Sequence, residues 1–120
     1  MIIFRVHVSL KGIDPQIWRR IELSSQTTLK QFHRILQIAM GWENCHLHVF
    51  IVDGRRYGTP DPEYDQPGDV SPEGRARLSE VMPMPEAQIL YIYDFGDYWQ
   101  HMVCLEAISS EVPGSEYPAC

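Results

Sequence analysis

The spacing of apolar residues changes its period within the first third of the chain, and this change constrains the fold more than any other feature. In residues 2–10, apolar side chains occupy every second position, which predicts a strand with one buried face. In residues 29–40 they recur every three or four positions, which predicts an amphipathic helix. Thr28 and Gln31 fit a capping box at the start of this helix, and Gly41 fits a left-handed cap at its end. A chain with both patterns must pack a helix against a sheet, so we predict the α+β class.

Shorter alternating segments predict the other strands. They lie at residues 16–23, from His46 to the tight-turn dipeptide Asp53-Gly54, at residues 88–93 and at residues 99–107. The acidic, proline-rich stretch 59–74, which includes Pro62, predicts a long exposed loop, and residues 77–82 predict a short helical turn. The order β-β-α-β-loop-β-β predicts a β-grasp-like mixed sheet packed on one main helix. A ferredoxin-like arrangement is the alternative, but it needs a second substantial helix.

Length, charge and cysteine content narrow the class of protein. A chain of 120 residues is predicted to form a single domain. The net charge of −6 and the scattered basic residues disfavour binding to nucleic acid or to anionic membranes. We see no secretory leader and no apolar run of membrane-spanning length, so we expect a cytoplasmic protein without a membrane partner. Cys45, Cys104 and Cys120 are widely spaced and predict reduced thiols rather than a disulfide framework.

Residues 91–101, with the sequence YIYDFGDYWQH, contain the Asp-Phe-Gly triplet that holds magnesium in protein kinases. The chain lacks the glycine-rich phosphate loop and the catalytic-loop motif of a kinase, so the triplet alone does not support that activity. Asp94, Gly96 and Asp97 are turn-forming residues between two apolar runs, and Gly96 can adopt a positive φ. We therefore predict a hairpin connection at this position.

A set of histidines and carboxylates forms the candidate site for chemistry. Its members are His46, His48, His101, Asp94 and Asp97. His46 and His48 lie two residues apart on a predicted strand and are expected to share a face. If the strand of His101 lies beside them, the set suits zinc or another divalent metal, or a histidine base that an aspartate orients. The simpler interpretation is that the histidines are half-buried strand residues bonded to carboxylates or to the backbone, and that His33 lies at the boundary of the helical stripe.

Aromatic and basic residues form the candidate binding surface. It comprises Trp18, Trp42, Trp99, Arg19 and Arg20. Exposed tryptophans mark binding surfaces, whereas buried ones anchor a core. The pairs Arg19-Arg20 and Arg55-Arg56 are the residues with which the chain would contact nucleic-acid phosphates.

Five segments in the same order resemble the Ri-plasmid ORF-three-like family, also labelled TnpR-like transposon passenger proteins. They are PQIWRRIEL, TLKQFHRILQIAMGW, HLHVF, YIYDFGDYWQHMVCLE and YPAC. The family's characteristic residues correspond to Trp18, Arg19, His33, Gly41, Trp42, His46, His48, Phe50, Tyr93, Asp94, Phe95, Gly96, Asp97, Trp99, His101 and Glu106. The resemblance spans Ile2 to Cys120 and implies a compact α+β domain of bacteria and archaea, often on mobile elements, without an established activity. Similar proteins continue into a Cys- and Pro-rich tail, so we expect residues 1–120 to be one family domain that lacks it.

These observations lead to three hypotheses about function. The first is a cytoplasmic module that binds a protein partner, because the chain is small, acidic and rich in aromatic strand residues and shows no persuasive catalytic set. The second is a metal-dependent enzyme that uses the histidine and aspartate cluster. The third is a nucleic-acid-binding protein linked to transposition.

Overall fold

The computed structural model describes residues 1–61, 63 and 65–120. Over this part of the chain, seven strands form one sheet, two α-helices are present, and a single 3₁₀ turn covers Glu73–Arg75. The elements are β1 (Ile2–Leu10), β2 (Trp18–Ser24), α1 (Leu29–Met40), β3 (His48–Val52), β4 (Arg55–Gly58), β5 (Val70–Pro72), α2 (Leu78–Val81), β6 (Gln88–Tyr93) and β7 (Trp99–Ser110). The predicted α+β class is confirmed.

The strands follow the order β2-β1-β7-β6-β3-β4-β5 across the sheet. Neighbouring strands are antiparallel, except that β5 runs parallel to β4. β6 lies between β3 and β7, so the two strands that carry His48 and His101 are not adjacent. Residues paired across an antiparallel ladder point to the same face. His48 pairs with Tyr93, and His101 pairs with Tyr91, so both histidines still point to one face of the sheet.

Helix α1 covers that face. The predicted capping box is present, because Thr28 Oγ1 accepts from the Gln31 N–H at 3.2 Å and Gln31 Oε1 accepts from the Thr28 N–H at 3.0 Å. Gly41 ends the helix with a φ of 76°. Leu29, Phe32 and Leu36 are fully buried against the sheet, and each such side chain contributes roughly 1.5–3 kcal/mol of transfer free energy.

The long-loop prediction for residues 59–74 is wrong at its C-terminal end. The strand predicted to end at Asp53-Gly54 is followed by β4, and β5 and the 3₁₀ turn occupy the end of the predicted loop. Both added strands are short and carry no alternating apolar pattern, so their pairing is set by the tight turn and by the sheet edge instead. Pro62, part of the loop prediction, and Tyr64 lie outside the described residues.

The second helix is short. α2 has four residues, so the described part of the chain lacks the second substantial helix that a ferredoxin-like arrangement requires. The β-grasp-like arrangement stays a prediction. Within the described residues, neither helix combines the length and apolar character needed to cross a membrane.

The Asp-Phe-Gly stretch forms the connection between β6 and β7. Asp94 Oδ1 accepts hydrogen bonds from the N–H groups of Gly96 at 3.0 Å and of Asp97 at 3.3 Å. The left-handed residues are Asp94, with a φ of 63°, and Tyr98, with a φ of 59°. Gly96, although able to adopt a positive φ, is not left-handed in this turn. The Asp94 side chain closes the turn on its own backbone, which makes a left-handed Asp tolerable.

Candidate functional site

An open cleft of about 700 Å³ lies beside β3 and β4. The chain segment that follows β4 and the connection between β6 and β7 complete its walls. Its apolar lining includes Leu47, Val49, Val70 and Phe95. Its polar lining includes His46, His48, Arg56, Asp61 and Asp65. A mainly apolar concavity with a few polar groups is the usual form of a ligand-binding site.

His48 forms the most closely held polar contact of the cleft wall. Its Nε2 lies 2.7 Å from Oε2 of Glu73 in the 3₁₀ turn, and the two side chains are only 14% and 6% exposed. An ionised carboxylate only accepts, so Nε2–H of His48 donates. No hydrogen bond to His48 Nδ1 occurs within the described residues, and no buried side-chain nitrogen or oxygen there lacks a partner.

A closed ring of hydrogen bonds lies behind His48. The Asn44 backbone N–H, which only donates, bonds Gln37 Oε1 at 2.7 Å, and this fixes the orientation of the Gln37 amide. Gln37 Nε2 then donates to the Tyr91 hydroxyl at 2.8 Å, so that hydroxyl donates its own proton to His33 Nδ1 at 2.6 Å. His33 Nε2–H donates in turn to Asn44 Oδ1 at 2.7 Å. The ring needs a neutral His33, because a proton on Nδ1 would face the Tyr91 O–H.

His33 and His48 stack face to face. Their ring centroids are 3.5 Å apart and the planes differ by 8°. Burial, followed by the positive charge of His48, lowers the pKa of His33, in agreement with the neutral form that the ring requires. The side chain of His33, which was predicted to lie at the boundary of the helical stripe, is buried. It occupies the interface between α1 and the sheet because its two polar partners satisfy both ring nitrogens.

His101 lies away from the cleft, in the centre of the sheet. The Trp42 indole N–H donates to His101 Nε2 at 3.1 Å, so the remaining proton is on Nδ1, which donates to the Tyr91 carbonyl at 3.1 Å. His101 is completely buried, and this burial lowers its pKa. Both ring nitrogens are occupied, which leaves no lone pair for a metal unless a hydrogen bond breaks.

The structure does not bring the predicted metal ligands into one cluster. No group of three His, Cys, Asp or Glu side chains that could hold a metal is present in the described residues. The Tyr91 ring lies between the two strand histidines, with its centroid 6.0 Å from that of His48 and 5.2 Å from that of His101. His46 precedes β3 instead of sharing it, is about half exposed, and approaches Asp94 at 3.7 Å. Asp97 is exposed at the turn.

The predicted binding surface is divided between the two faces of the sheet. Trp42 stacks on Trp99 with centroids 5.6 Å apart, on the face covered by α1. Trp18 lies on the opposite face, where it stacks on His7 at 5.1 Å and lies under the Arg20 guanidinium at 5.3 Å. These residues therefore do not form one continuous patch.

The basic residues of the predicted surface have different partners. Arg19 Nε donates to the Ala39 carbonyl of α1 at 3.1 Å. Arg20 forms a two-bond pair with Glu106, at 2.8 and 3.1 Å, and this bond lowers the pKa of the Glu106 carboxyl. Arg55 and Arg56 are adjacent residues of β4 and point to opposite faces, and Arg56 lines the cleft.

Sequence reasoning missed the polar residues behind the cleft. They are His33, Gln37, Asn44 and Glu73. One signal was available, because His33 and Gln37 are four residues apart beside the apolar stripe, and residues at this spacing lie on the same face of a helix. Nothing in the sequence links Glu73 to His48, which is 25 residues away.

The fold and the cleft define a class of small mixed α+β proteins in which one main helix covers one face of a sheet and an open cleft lies beside its outer strands. Within this class, the chain belongs to the plasmid pRiA4b ORF-3-like family, whose model matches residues 2–120. The predicted family is confirmed.

Two similar proteins extend the comparison. The chain is 34% identical over 116 residues to the uncharacterized protein y4hQ of Sinorhizobium fredii, a match that covers 97% of this chain and 59% of that protein. The chain therefore spans less than two thirds of the length of this curated relative. The protein of unknown function MM3350 from Methanosarcina mazei Go1 has a crystal structure, and its sequence is 38% identical to this chain. The two structures superimpose with a TM-score of 0.85 over 99% of this chain and 67% of that one.

Proposed function

We propose that the protein is a protein-binding module whose cleft receives an extended segment of a partner chain. The observation that carries this proposal is the apolar rim of the cleft. Leu47 is 70% exposed and Phe95 is 43% exposed, and both line the same concavity. Large apolar side chains that gather around a cleft, instead of being scattered singly, are typical of a recognition site.

The backbone holds this rim in place. The Asp94 N–H donates to the Leu47 carbonyl at 2.8 Å, so the segment before β3 is joined to the connection that carries Phe95. The Tyr93 hydroxyl accepts from the Cys45 N–H at 2.9 Å and holds the same segment against the sheet. A rim that is ordered before binding loses less conformational entropy when a ligand docks. A cytoplasmic location and the link to mobile elements, including the TnpR-like label, remain part of this proposal, and the plasmid origin in the family's description supports the link.

A library of random peptides displayed on phage tests the proposal directly. Panning against the folded protein is expected to enrich related sequences, and Leu47→Ser and Phe95→Ser are each expected to weaken their binding about tenfold, as the loss of a buried apolar anchor does. Met84→Ser is the matched control, because Met84 is 63% exposed but does not line the cleft. The proposal fails if no sequence is enriched, or if the two rim variants bind the selected peptides as tightly as the control does.

A further inference from the structure

We propose that residues 43–47, which connect α1 to β3, form a pH-sensitive strap at the side of the cleft, and that protonation of His33 releases this strap. Three residues of the strap, Asn44, His46 and Leu47, line the cleft. The inference rests on the proposed function, because it names how binding in the cleft is regulated. The release of the strap itself needs no ligand and is measured without one.

The strap is fixed at both ends and exposed between them. Trp42 precedes it, and the indole N–H of this residue donates to His101 Nε2 in the centre of the sheet at 3.1 Å. β3 follows it from His48 onwards. Residues 43–47 are all exposed. A short exposed segment between two anchors is the part of this region that can open while α1 and the sheet keep their packing.

Asn44 fastens the strap to α1. Its backbone N–H donates to Gln37 Oε1, and its Oδ1 accepts from His33 Nε2–H, both at 2.7 Å. Its φ of 55° is left-handed, a conformation that Asn tolerates better than most residues but that does not favour closure by itself. The side chains of α1 therefore hold Asn44 in place, and His33 is one of the two that do so.

A proton on His33 Nδ1 disrupts this attachment. The Tyr91 hydroxyl accepts from Gln37 Nε2 at 2.8 Å and donates to His33 Nδ1 at 2.6 Å. If Nδ1 is protonated, the hydroxyl has to turn its own proton away, and it has no third partner within the described residues. Gln37 cannot rotate its amide to accept that proton, because the Asn44 N–H fixes the amide orientation. A buried donor would then lack an acceptor, which is costly.

Charges from three neighbouring elements also act on His33. His48 of β3 stacks on it with centroids 3.5 Å apart, so a positive charge on one ring opposes a positive charge on the other. Arg34 of α1 acts in the same direction, whereas Glu73 of the 3₁₀ turn favours the proton but is bonded to His48. Burial and the charge of His48 outweigh the favourable contributions and lower the pKa of His33. The closed ring therefore excludes a proton that a solvated imidazole accepts.

The strap is the element that yields when the proton binds. Three members of the hydrogen-bonded ring, His33, Gln37 and Tyr91, are buried between α1 and the sheet, whereas Asn44 is exposed. Water therefore reaches the imidazole most directly when Asn44 moves outwards, and Leu47 is displaced with it. Closure is complete above the ordinary histidine pKa of 6.5 and is lost as the pH falls below it. For one proton, the equilibrium constant for opening rises by up to about tenfold per pH unit.

Amide hydrogen exchange of the ¹⁵N-labelled protein, measured by NMR at about pH 7.5, 6.5 and 5.5, tests this release. The reporters are the N–H groups of Asn44, Cys45 and Asp94, which bond Gln37 Oε1, the Tyr93 hydroxyl and the Leu47 carbonyl. Their protection factors, corrected for the intrinsic pH dependence of exchange, are expected to fall by up to about tenfold per unit below pH 6.5. They are also expected to stay below that of the Tyr91 N–H, which lies in a central strand and reports global unfolding.

Two histidine variants identify the sensor. His33→Gln keeps an amide N–H for Asn44 but cannot be protonated, so it is expected to make the protection of the strap independent of pH. His46→Gln is the matched control, because His46 lies on the strap, is about half exposed and approaches Asp94 at 3.7 Å. It is expected to leave the pH dependence of exchange unchanged.

A third variant keeps the test sharp if His33→Gln does not fold. Tyr91→Phe removes the hydroxyl that faces His33 Nδ1, so the pKa of His33, followed by ¹H–¹³C NMR, is expected to rise above its value in the wild type. An unchanged pKa in this variant would mean that the hydroxyl does not oppose the proton. The NMR spectrum of each variant verifies its fold.

Peptides enriched from the phage library connect the strap to binding. Their affinity is expected to fall in proportion to the fraction of closed strap as the pH is lowered, and His33→Gln is expected to bind them equally at each pH. A constant affinity in the wild type while the strap opens would show that the strap does not regulate the cleft.

The remaining outcomes separate this inference from the proposed function. The inference is wrong if the protection of the strap is the same at all three pH values, or if its pH dependence disappears in His46→Gln and persists in His33→Gln. It is also wrong if the reporter amides and the Tyr91 amide always show equal protection, because only global unfolding would then occur. If the library yields no peptide, the proposed function fails, and the exchange measurements still decide whether His33 releases the strap.

Discussion

The neutral state of two buried histidines predicts how stability depends on pH. His33 is 5% exposed and His101 is fully buried, and burial lowers the pKa of each below its ordinary value of 6.5. As the pH falls through that value, the unfolded chain binds a proton on each imidazole before the folded protein does. The stabilisation that depends on these two neutral histidines is therefore complete above the pKa of the unfolded chain. As the pH drops below that pKa, the free energy of unfolding falls.

The magnitude follows from the number of protons. Each histidine contributes a slope of up to about 1.4 kcal/mol per pH unit below the unfolded pKa, so the two together reach about 2.8 kcal/mol per unit. The Glu106 carboxyl has its pKa lowered from 4.5, and its effect on stability begins only at more acidic pH. The interval from about pH 6.5 to about pH 5.5 therefore reports mainly on histidines.

Urea denaturation at about pH 8, 7, 6 and 5.5 measures this slope, and ¹H–¹³C NMR of the imidazole groups shows which histidines titrate. His33→Gln removes one of the two imidazoles that bind a proton when the chain unfolds. It is therefore expected to reduce the slope by about half. A free energy of unfolding that stays constant over this interval, together with NMR titration of His33 and His101 near 6.5, would show that the hydrogen-bond assignments are wrong.

Three substitutions test how α1 is held on the sheet and capped. Tyr91→Phe removes the hydroxyl that joins Gln37 to His33 and leaves two buried polar groups without partners, so it is expected to lower the free energy of unfolding by about 1–3 kcal/mol in urea denaturation at about pH 8. A loss below about 0.5 kcal/mol would mean that water replaces the hydroxyl. Thr28→Ala removes one half of the capping box and is expected to lower the free energy of unfolding by about 1 kcal/mol. Gln31→Ala removes the reciprocal bond, so the two variants are expected to show similar decreases in thermal midpoint. Equal stability of the wild type and Thr28→Ala would contradict the cap.

Local signals in the sequence predicted the elements that depend on local interactions. The cap residues Thr28 and Gly41 fixed α1, and alternation fixed β6 within its observed limits. The order of the strands could not be predicted, because β1 pairs with β7 across about a hundred residues and no local pattern records that pairing. β4 and β5 are too short and too polar to carry a periodic signal.

The candidate site was predicted only in part, for a related reason. His48 was recognised from its position on a strand, but its partner Glu73 lies in a stretch whose composition predicted a loop. The ring that includes His33 depends on a Tyr91 hydroxyl from a distant strand. Single histidines are visible in a sequence, whereas the groups that set their protonation become neighbours only after the chain folds.

The parallel pairing of β4 with β5 has a consequence for how this family can diversify. Arg56 is joined to Val70 and Gly58 to Pro72, so the chain leaves the sheet after β4 and returns to the same edge with both ends anchored. Thr59 and Asp65, which lie between these anchors, contribute to the cleft but not to the core. Under the proposed function, insertions or exchanges in this stretch change what the cleft accepts, while the folding of the scaffold stays nearly unaffected. Laboratory evolution of new specificities has its natural starting point there.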